Sequence, residues 1–249
     1  MTGRSVFGGL AEAVRFLTIL PVPGPGTRRS AGFAPWATVA FPVVGLLIGG
    51  VLWAVLSLPL APLSRGVAAV VVWTVLTGAL HEDGWADCLD AALAPVGRAR
   101  RLEILKDPRV GVFGATGLVL LVLLRLAGVM GVEAVVVVPA LVAGRWAMVA
   151  VTVPATPARE GGLGASFFSA ARPVPATVVA AVLVASVAWA TPAISWAGAG
   201  AAMGAAAGAG WLTVRFLERR LGGISGDGVG AAGAAAELAA LWALQASGG

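Results

Sequence analysis

Charge is scarce in this chain, and so is sulfur. Only 12% of its 249 residues are charged, 12 acidic and 17 basic, and there is a single histidine. With 59% hydrophobic residues and a mean hydropathy of +0.93, so few charges cannot cover a water-soluble domain of this size. The chain is therefore read as an integral membrane protein. Its one cysteine, Cys88, excludes an internal disulfide framework and any CxxC metal or redox site, and is read as a small packing residue. The start of the chain lacks a charged region followed by an apolar core and a small-residue cleavage site, so no signal peptide is expected. With no internal repeat, low-complexity linker or second domain, residues 1 to 249 read as one membrane domain. The net charge of +5 does not point to nucleic acid, because the cations lie between apolar runs rather than along an exposed basic face.

Apolar runs are what the chain has in abundance. They fall at 36 to 58, 66 to 80, 114 to 131, 134 to 153, 175 to 191, 196 to 214 and 229 to 246, most of them near the ~17 to 25 residues that a crossing helix needs. This predicts an all-α polytopic bundle of about seven transmembrane helices. Frequent glycine, 35 residues, suits helices that approach closely in lipid. Before the first run, Val6, Leu10, Val14 and Leu17 recur at helical spacing with Arg4, Glu12 and Arg15 opposite, which predicts an interfacial helix ending at "LPVPGPG". Placing the N-terminus in the cytoplasm puts every loop cation except Arg65 on that side, including Arg28, Arg29, Arg98 to Arg109 and Arg159. Arg125 and Arg145 remain within spans.

Against this background, "HEDGWADCLDA" at 81 to 91 gathers Glu82, Asp83, Asp87 and Asp90 on the cytoplasmic side. In a helix, at roughly 100° per residue, Asp83, Asp87 and Asp90 fall within an arc of about 60°. Carboxylates about 6 Å apart at an effective dielectric near 20 repel by about 3 kcal/mol per pair, so a cation belongs among them. Mg²⁺ fits, because it takes oxygen ligands and is usually shared between carboxylates and substrate phosphates. Gly84 leaves room for close approach. The plainer alternative is a solvated face whose acids pair with the cations from Arg98 to Arg109. His81 lies on the opposite face, and reads equally as an interfacial hydrogen-bonder or a functional group.

Two glycine-rich elements follow. In "ILKDPRVGVFG" at 104 to 114, Lys106 and Arg109 offer charge to a phosphate, and backbone at Gly111 and Gly114 offers N–H donors; a positive-inside anchor accounts for the cations alone. In "GGISGDGVGA" at 222 to 231, Ser225 and Asp227 read as helix caps, or the helix start binds phosphate and Asp227 completes a metal site. Glu237 and Arg145, both inside apolar runs, must face protein or water, and a structural pairing within the bundle is one reading of each.

Together these elements resemble the cobalamin synthase family, the adenosylcobinamide-GDP ribazoletransferases, which are inner-membrane enzymes of vitamin B12 assembly. The resemblance covers nearly the whole chain: "FLTILPVP" at 16 to 23, "FPVVGLLIG" at 41 to 49, the acidic motif, "KDPRVGVFG" at 106 to 114, Arg145 and "GGISGDGVGA". The family's H-x-D-G-L-A-D-x-x-D form matches His81, Asp83, Gly84, Asp87 and Asp90, with Trp85 in place of Leu. Its K/R-D-S-R-x-G form matches Lys106, Asp107, Arg109 and Gly111, with Pro108 in place of Ser. Ser225 stands where Thr or Asn is expected, and Ala234 where relatives can carry an acid.

The resemblance implies that a ribose hydroxyl of α-ribazole, or of its 5′-phosphate, attacks the cobinamide-linked phosphorus of adenosylcobinamide-GDP and releases GMP. It implies Asp83, Asp87 and Asp227 as ligands of Mg²⁺, Asp90 as general base, and His81, Lys106 and Arg109 as further catalytic groups. Asp107, Gly111, Gly114, Arg145, Gly223, Ser225 and Gly226 are then expected to bind substrate. The expected surroundings are bacterial inner-membrane lipid, with the active site facing the cytoplasm; a homo-oligomer and association with other B12-assembly enzymes are compatible with this reading. Two competing classes fit the sequence less well. A CDP-alcohol phosphotransferase needs D-G-x-x-A-R, whereas Gly84 is followed by "WADC". A cation-coupled transporter places its acids near the midplane, whereas these cluster at span ends.

Overall fold

The computed structural model describes residues 6 to 23, 34 to 151, 155 to 158 and 162 to 248, and these are all-helical with no strand. The chain runs through α1 (Val6–Leu17), α2 (Pro35–Val39), α3 (Phe41–Leu56), α4 (Pro62–Thr77), α5 (Leu80–Leu93), α6 (Arg98–Ile104) and α7 (Val112–Met130). A 3-10 turn (Ala134–Val136) leads into α8 (Val137–Ala150), followed by α9 (Gly162–Ala170), α10 (Pro173–Ala190), α11 (Trp196–Leu221) and α12 (Gly226–Ala246). Proline stands in the first turn of α2, α3, α4 and α10, where its missing N–H costs nothing.

Helix α12 is the axis of the bundle, packing against α5, α7, α8 and α11. Small residues permit this: a Cβ at Gly233 would lie 2.7 Å from Met148 of α8, and one at Gly128 of α7 would lie 2.6 Å from Leu241. Similarly, Gly45 and Gly49 bring α3 directly onto the backbone of α8 at Leu141 and Val138. The outer faces of α4, α7 and α10 expose valine, leucine and tryptophan, as lipid-facing surfaces do.

The expected count of seven crossings divides. Four stretches are long and apolar enough to cross: Trp36–Leu56, Val112–Met130, Pro173–Ala190 and Gly226–Ala246. Helices α4 and α5 reach that standard only as a pair bent by 86°. Ala134–Ala150 is apolar but short. Helix α11 has 26 residues, but its glycine and alanine run is only weakly apolar. The N-terminal helix forms as expected from Val6, and buries Gly9, Ala13, Val14 and Leu17 against α2 and α3 instead of lying apart. Arg4, Arg28, Arg29 and Arg159 lie outside the described residues.

The bend between α4 and α5 has a local cause. Gly78 (φ 61°) and Ala79 (φ 54°) are both left-handed, and Ala79 is the one described non-glycine residue with positive φ. Two such residues in succession turn the chain sharply, at a cost in strain for alanine. Helix α5, 14 residues long with four carboxylates, is thereby bent by 86° from α4.

Contacts define the two ends of the bundle. At one end lie the C-termini of α5 and α11 and the N-termini of α7 and α12, joined by Arg220 Nε donating to Ala92 O (2.7 Å) and Gly111 N donating to Asp90 (2.7 Å). At the other lie the C-termini of α7 and α12, where Gly131 meets Gln245, and the start of α4, where Gly66 meets Met130. Arg65 and Glu133 are the charged residues at that second end among those described.

Candidate active site

The acidic helix is positioned by glycine. A Cβ at Gly84 would lie 2.7 Å from the carbonyl oxygen of Asp227 and 3.1 Å from its Cα, so α5 touches the first turn of α12 at the point where both carry acids. Asp83 is exposed there, and Asp87 and Asp227 are half-buried. The grouping expected from the helical wheel is therefore present, and Asp227 joins it.

The neighbouring cations do not neutralise these acids. Arg98 Nε donates to Leu221 O (2.8 Å), and Arg101 to Ala94 O (3.1 Å) and Arg220 O (3.3 Å). Cations at helix C-termini satisfy carbonyls that the helices leave free. Arg100 pairs with Glu103, and Arg109 with Asp107. Among the described residues no cation pairs with Asp83, Asp87, Asp90 or Asp227, so the reading as a solvated, self-neutralised face fails. Asp87 records the consequence: burial, then the charges of Asp83, Asp227 and Asp90, push its carboxyl up to about 6.

Asp90 makes a contact that its spacing on the helical wheel does not show. Its Oδ2 accepts from Gly111 N (2.7 Å) and its Oδ1 from Gly114 N (2.8 Å), which places the carboxylate on the first turn of α7 as a cap supplied by another helix. Each oxygen accepts a single N–H, so a second lone pair on each stays open to a proton. The same two bonds revise Gly111 and Gly114: their N–H groups do bind an anion, but that anion is Asp90. A Cβ at Gly111 would lie 2.6 Å from Asp90 Oδ1, so glycine is what admits it.

Lys106 and Arg109 are exposed on the α6 to α7 connection that Asp90 anchors. Asp107 accepts from Arg109 through Nε (2.9 Å), a terminal nitrogen (2.6 Å) and the backbone N–H (3.1 Å). These bonds hold the Asp107 carboxyl down at about 2 and raise Arg109. Asp107 thus orients Arg109 and does not itself face an anion.

In the second glycine loop, Ser225 caps α12, accepting from Gly228 N (3.3 Å) and donating to Asp227 Oδ2 (3.1 Å). Gly223 is buried against Ala158, where residues 156 to 158 pair with Ile224 through two backbone hydrogen bonds. Gly226 is exposed with open space around it, and fits an approaching ligand.

His81 and Arg145 are both fully buried and face away from the acids. His81 packs beside Gly230 of α12, with Arg145 and Arg125 near enough to act on it electrostatically. Arg145 pairs with Glu237, which also meets Arg125 (3.4 Å), and Arg125 pairs with Glu82. Thr74 donates to Glu82 (3.2 Å), and the Arg125 guanidinium lies 4.2 Å from the ring centre of Trp73. Two arginines and two glutamates thus bind α4, α5, α7, α8 and α12 in one neutral buried cluster. Both His81 and Arg145 are buried at this cluster. Glu82 received no role from the sequence, although its place in the acidic motif was visible.

No three of the described acidic, histidine or cysteine side chains converge as a ready-made metal site. The donor chemistry nevertheless suits a hard divalent cation, since Asp83, Asp87 and Asp227 supply oxygen only and have no cationic partner among the described residues.

A carboxylate face without cationic partners among the described residues, at one end of a bundle with four membrane-length helices and beside exposed cations, describes an integral-membrane enzyme acting on phosphorylated substrates. Residues 9 to 245 match the family described as cobalamin-5-phosphate synthase. A relative from Roseiflexus sp. (strain RS-1), named adenosylcobinamide-GDP ribazoletransferase, is 40% identical over 251 residues, covering 96% of this chain and 89% of its own. Relatives of the same name from Herpetosiphon aurantiacus (39%, covering 66% of this chain and 68% of the relative) and Rhizobium etli (36%, 94% and 95%) agree. The chain belongs to the cobalamin-5-phosphate synthase family, whose members are transferases of cobalamin synthesis. No solved structure matches it.

Proposed function

We propose that this chain transfers the cobinamide phosphate of adenosylcobinamide-GDP to α-ribazole or its 5′-phosphate, releasing GMP. The observation that carries this reading is the uncompensated acidic face of α5 and Asp227, set beside exposed Lys106 and Arg109 and the open backbone at Gly226. A ribose hydroxyl attacks the phosphorus bonded to cobinamide; a new P–O bond forms, the P–O bond to GMP breaks, and the hydroxyl proton must be taken up. Asp90 takes that proton, since each of its oxygens accepts one backbone N–H and keeps a second lone pair. Lys106 and Arg109 hold the diphosphate, and Asp107 fixes the fork of Arg109.

Mg²⁺ would be held by Asp83, Asp87 and Asp227. When bound, it supplies charge neutralisation at the phosphates. The inner membrane and a cytoplasmic active site are supported by the charge distribution, since the described loop cations other than Arg65 share the acidic end. The alternation of helix ends supports seven crossings, with α4, α8 and α11 completed by their neighbours rather than by their own hydropathy.

The test is GMP release by the purified protein given adenosylcobinamide-GDP and α-ribazole, with and without Mg²⁺, for wild type and Asp87→Asn. Metal-dependent GMP with matching cobalamin, lost in the variant, is expected. Folded protein that forms no product from authentic substrates would overturn the assignment.

A further inference from the structure

At the end of the bundle opposite the acids, a cavity of about 370 Å³ opens between the α3 to α4 and α7 to α8 connections. Its lining includes Leu56, Arg65, Met130, Val132 and Glu133. Its volume lies within the roughly 300 to 1,000 Å³ typical of small-ligand sites. The only charged residues described at that end, Arg65 and Glu133, both line it, yet they form no ion pair with each other. A surface this poor in charge that brings one cation and one anion to a single cavity, unpaired, is complementary to a ligand carrying one charge of each sign.

We propose that this cavity binds the headgroup of a phospholipid bearing a primary ammonium, with its phosphate on Arg65 and its ammonium on Glu133. The guanidinium forks onto phosphate oxygens. A carboxylate accepts hydrogen bonds from a primary ammonium, which has three N–H donors, but not from a trimethylammonium, which has none. Glu133 also disfavours a headgroup with a second negative charge or none of positive sign. The shared chemistry is that of phosphoethanolamine, free or esterified, and the flanking surface selects the esterified form. Val67 and Val71 of α4 and Leu123 and Leu124 of α7 are exposed along the helices that lead away from the cavity, where acyl chains would lie. The site is remote from the transfer chemistry and does not depend on it.

The experiment is lipid retention by the detergent-purified full-length protein, read by native mass spectrometry after exposure to equal amounts of phosphatidylethanolamine, phosphatidylcholine and phosphatidylglycerol. Phosphatidylethanolamine should be retained at least about fivefold over each of the others. Arg65→Ala should lose that retention, and Glu133→Gln should bind all three alike. Equal retention by the wild type, or unchanged selectivity in both variants, would overturn the proposal. In a second arm, free O-phosphoethanolamine competes at millimolar concentration. Failure to displace the lipid is expected, and displacement at stoichiometric concentration would identify a soluble phosphate compound as the occupant instead.

Discussion

At Gly84 the space for a side chain is already taken by the backbone of Asp227. Gly84→Ala must push α5 away from the start of α12 and separate the acids that the reaction uses. Turnover is expected to fall at least about tenfold, equivalent to about 1.4 kcal/mol of transition-state stabilisation, while the protein still inserts in the membrane. Steady-state GMP release checks this, and wild-type turnover would mean that the contact has no bearing on catalysis. Asp90 allows a sharper discrimination. As a cap on α7, Asp90→Ala should cost about 1 kcal/mol of stability and reduce turnover modestly. As a general base, it would cost about 10² to 10⁴ in rate at unchanged stability. Melting and kinetics measured on the same preparation separate the two. Asp107 fixes a pH expectation: its folded carboxyl, at about 2, lies below the ordinary 3.8. Its bond to Arg109 is therefore fully present above pH 3.8 and lost as pH falls through about 2. An acid limb of the rate profile near neutrality should thus survive Asp107→Asn unmoved.

Among elements, α5 and α12 are joined twice, by the Gly84 contact and by Arg125, which meets Glu82 of one and Glu237 of the other. Removing one partner of a buried ion pair leaves an uncompensated charge, at about 3 to 5 kcal/mol. Glu82→Gln should therefore lower the melting temperature sharply, whereas Thr74→Val removes one hydrogen bond and should cost about 1 kcal/mol. If Glu82 and Glu237 act through Arg125, the double variant Glu82→Gln with Glu237→Gln will depart from additivity; additive losses would show two separate interactions. The sequence made the acids of α5 readable because helical spacing alone puts them on one face. The cap that Asp90 forms was not readable because its partners, Gly111 and Gly114, lie at the start of another helix 21 and 24 residues away. Arg125 and Glu237 could be recognised as buried from the apolar runs around them, but a run does not say which charges meet.

For the whole molecule, composition sufficed to identify a helical membrane protein, because apolar content is a property of the chain and needs no pairing. The span count was less readable: α11 is long but weakly apolar, and α4 ends at a left-handed pair that the residues "GA" do not announce. Sidedness offers a direct check. Cys88 is buried, so cysteines introduced elsewhere report with little background. With an odd number of crossings between the two positions, Arg100→Cys in sealed inverted vesicles should react with an impermeant maleimide, and Ser247→Cys only after the membrane is opened. Reaction of both without opening would mean an even number of crossings between residues 100 and 247.

The buried cluster also bears on the order of events at the ribosome. Glu82 finds Arg125 across 43 residues, and Arg125 finds Glu237 across a further 112. The acidic helix is thus synthesised well before the cluster that holds it, which is complete only when α12 has emerged. A nascent chain stalled before α12 would expose its carboxylates without Asp227 or Glu237, so competence to react waits for that helix.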